Sequence, residues 1–269
     1  MINKRPNGLP DFLRPPLNEV VVGVQYEPVP SYRGIDAFKV WNIFKEEYPE
    51  VQEKPELPPS FETFGKPENA AFKFQFGNKH PQPRYWFVGK NENDLLQYQS
   101  DRLIHNWRKI EHKDTEYPRF EYMIEKYSNE LKLLDNFYMS EYGAPMYYTQ
   151  ADITYINHIS LKNDDGFTAP SDWVNILPSQ RWEYDDISLS LNRILRSGNE
   201  EPFGRIVIDV NSGFKDKERM LILNLSVRGA PKSPTKDGVL EFIQIGRSEI
   251  VKTFADITNS SAHEIWGKV

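Results

Sequence analysis

Two long stretches of the chain carry apolar residues at helical spacing, and each follows a series of short segments in which apolar and polar residues alternate. The first stretch has Pro118 in its first turn and Gly143 at its end, and the second begins near Asp237. Apolar residues recur every three or four positions from Phe120 to Tyr138, which predicts an amphipathic helix with one buried face. Alternating strands combined with long amphipathic helices predict an α+β fold in which the helices cover a sheet.

The predicted elements occur in the same order twice. In the first half, a strand over 19–26 and a helix over 35–48 precede three strands and the helix at Pro118. In the second half, a strand over 149–161 and a short helix near Ser171 precede three strands and the final helix. The three strands are predicted at 72–76, 85–88 and 95–107 in the first half and at 187–195, 205–210 and 220–227 in the second, and 49–68 is predicted to be a loop.

A tandem pair of strand–helix–three strands–helix units predicts one curved antiparallel sheet with helices on one face, an architecture like that of TATA-binding protein. We therefore expect an extended arm at 1–18, a first α+β half at 19–145 and a second α+β half at 146–269. The alternative is one continuous, irregular α+β domain, because no residue-level identity relates the two halves. An architecture does not determine a function, so the function has to be argued from a site.

The composition excludes several classes of site. The chain has no cysteine, which rules out disulfides, thiol nucleophiles and zinc sites that need thiolates. Its net charge of -6 disfavours a nucleic-acid partner. It has neither a signal-peptide pattern at its start nor a run of about 18 apolar residues, so we expect no membrane partner and a cytoplasmic location. Phosphate-binding and dinucleotide-binding loops are missing as well, so we expect no cofactor.

Five short motifs run through the chain. They are Pro16-Leu17-Asn18-Glu19-Val20-Val21-Val22-Gly23-Val24-Gln25, Leu96-Gln97-Tyr98-Gln99-Ser100-Asp101-Arg102, Asn106-Trp107-Arg108, Tyr117-Pro118 and Trp266-Gly267. Together they resemble the signature of a sporadically distributed prokaryotic family of uncharacterised proteins of similar length. The resemblance implies no activity, ligand or catalytic residue, because none is established for that family. Patchy distribution is common among mobile-element, toxin–antitoxin and phage-defence genes, so the resemblance implies a context of that kind.

The first candidate site is a row of polar side chains in the predicted strand over 95–107. Gln97, Gln99 and Asp101 share one face of this strand, and Leu96 and Tyr98 lie on the other. Amides both donate and accept hydrogen bonds, whereas an ionised carboxylate only accepts, so the row suits recognition of a polar partner. The alternative is an ordinary solvated face of an antiparallel sheet.

The same segment continues with residues suited to an anion. Arg102, Asn106 and Arg108 supply donors for an anionic group, and Trp107 offers an aromatic plane for stacking. The alternative is a corner of the fold in which these side chains only support the structure.

A second polar row is predicted in the other half of the chain. Asp152 and His158 share one face of the predicted strand over 149–161, and small polar residues continue this face on later strands. If the sheet is continuous, the polar residues of both halves converge on one recognition surface. The alternative is that small polar residues suit a crowded or partly covered face. The later strands contribute Ser188, Ser190, Asn192, Arg205, Asp209 and Asn211, and the first half contributes Gln25, Gln75, Gln97 and Gln99.

A metal site is not expected, because none of the five histidines forms an i, i+4 pair with another. His158 is the histidine of most interest, since Asp152 lies on the same strand face.

Three hypotheses for function follow. The first is a non-enzymatic binding module that recognises a protein or a small polar ligand, and it is favoured because no catalytic signature occurs. The second is an enzyme with a dispersed acid–base or hydrolytic site, which requires two carboxylates, or a carboxylate with His158, at hydrogen-bond distance. The third is a nucleic-acid-binding protein, which requires a continuous positive stripe around Arg102, Trp107 and Arg108.

Overall fold

A computed structural model describes residues 8–65, 82–110, 116–163, 166–178 and 185–269. Within these ranges the protein is α+β, which confirms the predicted fold class. The strands are β1 (Leu17–Tyr26), β2 (Glu50–Lys54), β3 (Arg84–Val88), β4 (Asp94–Gln99), β5 (Arg102–Arg108), β6 (Tyr148–Ser160), β7 (Lys162–Asn163), β8 (Gly166–Phe167), β9 (Ser188–Arg196), β10 (Pro202–Lys215) and β11 (Glu218–Gly229). The helices are α1 (Asp36–Phe44), α2 (Phe120–Tyr142), α3 (Lys236–Ile257) and α4 (Ser260–Trp266), with a 3-10 turn at Pro170–Asp172.

Nine of the strands form one antiparallel sheet in the order β2-β3-β4-β5-β1-β6-β11-β10-β9, and β7 and β8 pair separately. Strands from the first part of the chain lie on one side of the β1–β6 pair, and strands from the second part lie on the other. The sheet is therefore continuous, so side chains from both parts of the chain share each of its two faces.

The main core lies between the sheet and the helices. Alternate residues of β1, Val22 and Val24 among them, pack into it together with Tyr127 of α2 and Ile153 of β6. Helix α3 packs on the same face, and Gly246 permits its close approach, because a Cβ there would lie 2.7 Å from Ile153 Cγ2. The helices therefore cover one face of the sheet. Among the described helices, none has the length and apolar character needed to cross a membrane.

Two stretches of the first half differ from the prediction. The segment predicted as a loop over 49–68 contains β2, a charged edge strand that pairs with β3 and so needs no apolar pattern of its own. The segment predicted as one strand over 95–107 is a hairpin of β4 and β5, because Ser100 and Asp101 form the turn between them. The strand predicted at 72–76, with Gln75, lies outside the described residues.

The ends of the two long helices are close to their predicted positions, whereas α1 ends at Phe44 and not at residue 48 as predicted. Gly143 ends α2 with a left-handed φ of 65°, as predicted, and its N–H donates to the Met139 carbonyl oxygen. Pro118, in contrast, precedes the first residue of α2 by two positions, so it stands before the helix and not in its first turn. Helix α4 was not predicted as a separate element.

The described part of the N-terminal arm is docked against the end of the chain. The Leu13 N–H donates to the Gly267 carbonyl oxygen, and the Arg14 N–H donates to that of Trp266. Phe12 is buried against Phe254 and Trp266, with ring centroids 5.3 and 6.2 Å away. The arm therefore continues the core, and β1 begins within it at Leu17–Tyr26.

Candidate binding surface

The sheet surface opposite the helices, called the polar face below, begins with a row of four polar side chains. Gln99, Arg102, Gln25 and Gln150 pair laterally across β4, β5, β1 and β6. Gln99 is 1% exposed, and the other three are each 6% exposed. Buried polar groups of this kind need hydrogen-bond partners, so something must cover this row.

The cover is an extended segment of the same chain, residues 55–64, which we call the strap. It reaches Gln99 on β4 through Leu57 and Gln25 on β1 through Ser60. It then reaches β6 and ends above β10, so it runs across the strands and not along them. The predicted alternative of a partly covered polar face therefore holds at this row.

Two glutamines hold the strap by its backbone. The Leu57 N–H donates to Gln99 Oε1 at 2.9 Å, and Gln99 Nε2 donates to the Leu57 carbonyl oxygen at 3.0 Å. The Ser60 N–H donates to Gln25 Oε1 at 3.0 Å, and Gln25 Nε2 donates back to the Ser60 carbonyl oxygen. Each side-chain amide thus pairs with both backbone groups of one residue, as a neighbouring strand would.

Three further polar contacts continue the row. Arg102 donates to the Pro58 carbonyl oxygen at 3.1 Å and is held in place by an ion pair with Asp101 at 3.0 Å. The Glu62 N–H donates to Gln150 Oε1 at 3.3 Å. Asp101 therefore orients Arg102 from the hairpin turn and does not belong to the strand row in which it was predicted.

Two arginines hold the second half of the strap through two of its side chains and one backbone carbonyl. Glu62 Oε2 lies 2.7 Å from Arg205 Nε, and Arg205 Nη2 also donates to the Thr63 carbonyl oxygen at 3.0 Å. Arg228 Nη1 donates to Ser60 Oγ at 2.6 Å. These contacts favour an acidic side chain at position 62 and a hydroxyl side chain at position 60 of the strap.

Asp152 lies in the next row of the polar face, between Gly23 and Arg228. Its carboxylate occupies the space above Gly23, where a Cβ would lie 3.0 Å from Oδ1. Burial raises the pKa of Asp152, and Arg228 and Arg102 lower it in part. No described residue donates a hydrogen bond to this carboxylate.

Gln97 and Asn106 are saturated by neighbours and do not reach the strap. Gln97 Nε2 donates to Asn106 Oδ1 and Asn106 Nδ2 donates to Glu19 Oε1, both at 2.6 Å. Arg84 Nη1 and Trp86 Nε1 both donate to Gln97 Oε1, at 2.7 and 3.1 Å. These two predicted site residues therefore form a fixed network beside the strap.

The predicted anion site does not assemble. Arg102 and Arg108 are six residues apart on β5, which corresponds to roughly 20 Å. Trp107 points to the helix side, where it is 3% exposed and packs against Val20 and Met123. It therefore cannot stack on a ligand held by these arginines, and Arg108 instead lies 5.9 Å from the ring centroid of Trp86.

His158 also lies apart from the other candidates. It shares the polar face and the strand β6 with Asp152, but six residues separate them, or roughly 20 Å. Burial lowers the pKa of His158, and Lys215 lowers it further. A carboxylate–histidine pair of the kind required for the enzyme hypothesis does not form here.

The rest of the polar face is more open than the strap row. Thr154 and Ser226 hydrogen-bond through their hydroxyls at 2.8 Å and are half-buried. Further out, the predicted side chains on β9 and β10 follow in register, and those on β9 are exposed. The members on these two strands are Ser188, Ser190 and Asn192, with Asp209 and Asn211.

On the helix side, the structure contains a buried charged cluster that sequence analysis missed. His105 Nδ1 lies 3.0 Å from Glu130 Oε2, and its Nε2 lies 3.7 Å from Asp94 Oδ1. Lys126 Nζ donates to Asp94 Oδ2 at 2.6 Å, and the Tyr48 hydroxyl donates to Glu130. A sequence signal did exist, since Glu130 falls in the buried stripe of α2.

The charges of this cluster stabilise each other. Burial alone would lower the pKa of His105, but Glu130 and Asp94 raise it to about 9, so the ring is protonated at neutral pH. Burial would raise the pKa of Asp94, but His105 and Lys126 hold it well below its usual range. A cavity of about 150 Å³ lies beside Lys126 and Glu130.

A larger cavity of about 280 Å³ lies between the N-terminal arm, α2 and α3. The charged groups that line it have opposite charges beside them, with Arg119 3.2 Å from Asp11 and Arg247 3.3 Å from Glu121. It therefore offers a ligand mainly apolar walls. In the described ranges, no group of three or more acidic and histidine side chains is placed to hold a metal ion.

Comparisons of the chain with protein-family models, with curated proteins and with solved structures find no match.

Proposed function

We propose that this protein is a binding module that recognises an extended polypeptide segment on the polar face of its sheet. The observation that carries the proposal is the pairing of Gln99 and Gln25 with both backbone groups of Leu57 and of Ser60. Side-chain amides used in this way recognise the one chemical unit that every polypeptide repeats.

The spacing of the strands supports a polypeptide over a small ligand. Gln99 and Gln25 are two strands apart, or about 9.6 Å at the usual interstrand distance. Leu57 and Ser60 are three residues apart, and three extended residues span about 10 Å. The distance between the two side-chain amides across the sheet therefore matches the distance between two backbone units that are three residues apart in an extended chain.

The other two hypotheses have less support. A nucleic acid requires a continuous positive stripe, and on the described polar face Glu19, Asp152 and Asp209 stand among the arginines. For an enzyme, the named pair of Asp152 and His158 is roughly 20 Å apart, far beyond hydrogen-bond distance.

The proposal includes an internal duplication of the fold, with the architecture of TATA-binding protein. What supports it is that the first and last strands of each half are neighbours, β1 beside β5 and β6 beside β11, and that β1 and β6 meet at the centre. The family resemblance extends the proposal to a cytoplasmic module in a phage-defence or toxin–antitoxin context.

The test is a selection of linear random peptides displayed on phage, carried out against the full chain. The wild type and a Leu57→Pro, Ser60→Pro variant, which lacks two of the three strap N–H donors, are used in parallel so that the strap does not mask the site. We expect selected peptides to bind at least about tenfold more weakly after Gln25→Ala or Gln99→Ala, because one backbone pairing is lost.

Gln97→Ala is the matched control, since Gln97 shares the strand and face of Gln99 without contacting the strap. Selected peptides should tolerate this change. Recovery of no peptide from either protein, or of peptides indifferent to Gln25 and Gln99, would contradict the proposed function.

A further inference from the structure

The strap is attached to the polar face in a different way from the segments that pack into the core. Six of its residues are exposed, and Phe61 is 60% exposed although it is a large apolar residue. The six are Pro55, Glu56, Pro58, Pro59, Phe61 and Thr63. The strap is therefore attached by hydrogen bonds, by one ion pair and by a cation–π contact of Arg205 with Phe64 at 6.0 Å, with little apolar burial. Segments held in this way open at low free-energy cost.

The composition of the strap fits the polar face residue by residue. Pro55, Pro58 and Pro59 have no N–H and favour an extended backbone. The N–H groups that contact the face belong to Leu57, Ser60 and Glu62, and a glutamine accepts from each of them. The prolines thus stand at strap positions whose backbone nitrogen donates nothing to the face, and their fixed φ leaves the strap with less entropy to lose.

The polar face, in turn, does not need this particular occupant. Four of its contacts with the strap use backbone groups of Leu57 and Ser60, which any extended peptide can supply. The groups beneath the strap are amides and a guanidinium that water can also satisfy when the strap leaves. The site can therefore exchange one extended segment for another.

We propose that the strap is an internal competitor for a partner segment with the same chemistry. That partner is an extended, proline-containing peptide with a hydroxyl side chain for Arg228 and, two residues later, an acidic side chain for Arg205, as Ser60 and Glu62 provide here. The inference rests on the proposed function, because it assigns the occupant and the regulation of the same site. The partner binds only when the strap has left.

A tethered competitor has a defined effect on affinity. A short tether holds the strap at an effective concentration in the millimolar range. The apparent affinity of a free peptide is its intrinsic affinity multiplied by the fraction of molecules in which the site is open. Weakening the strap must therefore strengthen binding of a peptide added in trans.

The test uses a fluorescein-labelled synthetic peptide that copies residues 55–64, titrated into the full chain and followed by fluorescence anisotropy. The site is opened in the Leu57→Pro, Ser60→Pro variant, which removes two strap N–H donors and the Ser60 hydroxyl. A second variant, Ser60→Ala with Glu62→Ala, opens it without adding proline. Phe61→Pro is the matched control, because no hydrogen bond from the Phe61 N–H is formed with any described residue.

We expect the peptide to bind both opened variants at least about tenfold more tightly than it binds the wild type and the Phe61→Pro control. Adding Gln99→Ala to an opened variant should remove this gain. This outcome supports the internal competitor.

Two other outcomes would overturn the inference, and they can be told apart. Equal binding to wild type and opened variants would show that the strap does not compete, although the polar face still binds peptide as proposed. Failure to bind either form, when amide exchange shows that the strap has opened in the variants, would reject the proposed function and the inference with it.

Discussion

On its helix side the sheet buries a charged cluster around His105 and Glu130, whereas on its polar face it buries the amides of Gln25 and Gln99 beneath the strap. The cluster is covered by α2, whose residue Tyr127 is fully buried in the core. The strap, in contrast, leaves most of its own side chains in solvent. Uncovering the cluster means opening the core, but uncovering the amides means only moving a surface segment.

This difference separates a structural role from a binding role. Removing one partner from a group of charges buried under a packed helix destabilises the protein, because the remaining charge stays buried without a counter-charge. Uncharged amides under a movable segment lose little, because water or another peptide can replace the strap. We therefore expect substitutions in the cluster to change global stability, and substitutions at the strap row to change local opening and binding.

The largest effect is expected for Glu130→Ala. His105 then loses its nearest counter-charge inside the core, and the free energy of unfolding should fall by about 3–5 kcal/mol. Chemical denaturation measures this loss. Glu125→Ala, at an exposed position of the same helix, should change the value by less than about 0.5 kcal/mol. A similar decrease in the free energy of unfolding for the two variants would show that the cluster contributes no more to stability than an exposed position of the helix does.

The next largest effect is a pH dependence of the free energy of unfolding, which arises from His105 in the cluster and has no counterpart in the strap row. The pKa of His105 is raised in the folded protein to about 9. The contribution of protonated His105 to the free energy of unfolding is therefore complete at a pH below the pKa of His105 in the unfolded chain. It is lost as the pH rises through the pKa of His105 in the folded protein. Between neutral pH and about pH 9, the wild type should lose roughly 2 kcal/mol more than His105→Gln does. Denaturation curves over this range measure the difference. Parallel pH profiles of the two proteins would contradict a protonated His105.

The elements set by local pattern could be predicted from the sequence. The buried stripe of α2 follows from the spacing of Met123, Tyr127 and Leu134, and Gly143 could be recognised as its end. Edge strand β2 could not be predicted, because its five residues are mostly charged and it is held by pairing with β3. Long-range pairing of this kind leaves no signal in the segment itself.

The candidate site was predicted in part, and one turn explains most of the errors. The turn at Ser100 and Asp101 was read as strand, and a two-residue turn shifts the alternation that follows. Arg102 and Asn106 therefore join the face of Gln97 and Gln99, while Trp107 moves to the core. The strap could not be foreseen, because its contacts with Gln99 and Gln25 span 42 and 35 residues of sequence.

A smaller effect on stability, but a large one on the strap, is expected for Gln99→Ala. The unfolding free energy should fall by only about 1 kcal/mol, because the two backbone groups of Leu57 can turn to water. Amide exchange at Leu57 should accelerate about tenfold while the core amides stay protected. Gln97→Ala, on the same strand face, is the control and should leave exchange at Leu57 unchanged. Equal acceleration in both variants would mean that the strap is not held by Gln99 in particular.

The smallest effect is expected for Glu62→Gln, which sharpens the comparison because it weakens the strap without touching its backbone contacts. The ion pair with Arg205 is partly exposed, with Arg205 at 25% and Glu62 at 12%, so its loss should cost no more than about 1 kcal/mol. Since salt screens such a pair, amide exchange at Ser60 in the wild type should approach that of the variant as ionic strength rises. Glu56→Gln removes an equal charge from an exposed strap residue and should leave the salt dependence as it is in the wild type. The cluster at His105, in which the His105, Asp94 and Glu130 side chains are at most 4% exposed, should show little of this salt dependence, and a strap that behaves in the same way would erase the distinction between the two faces.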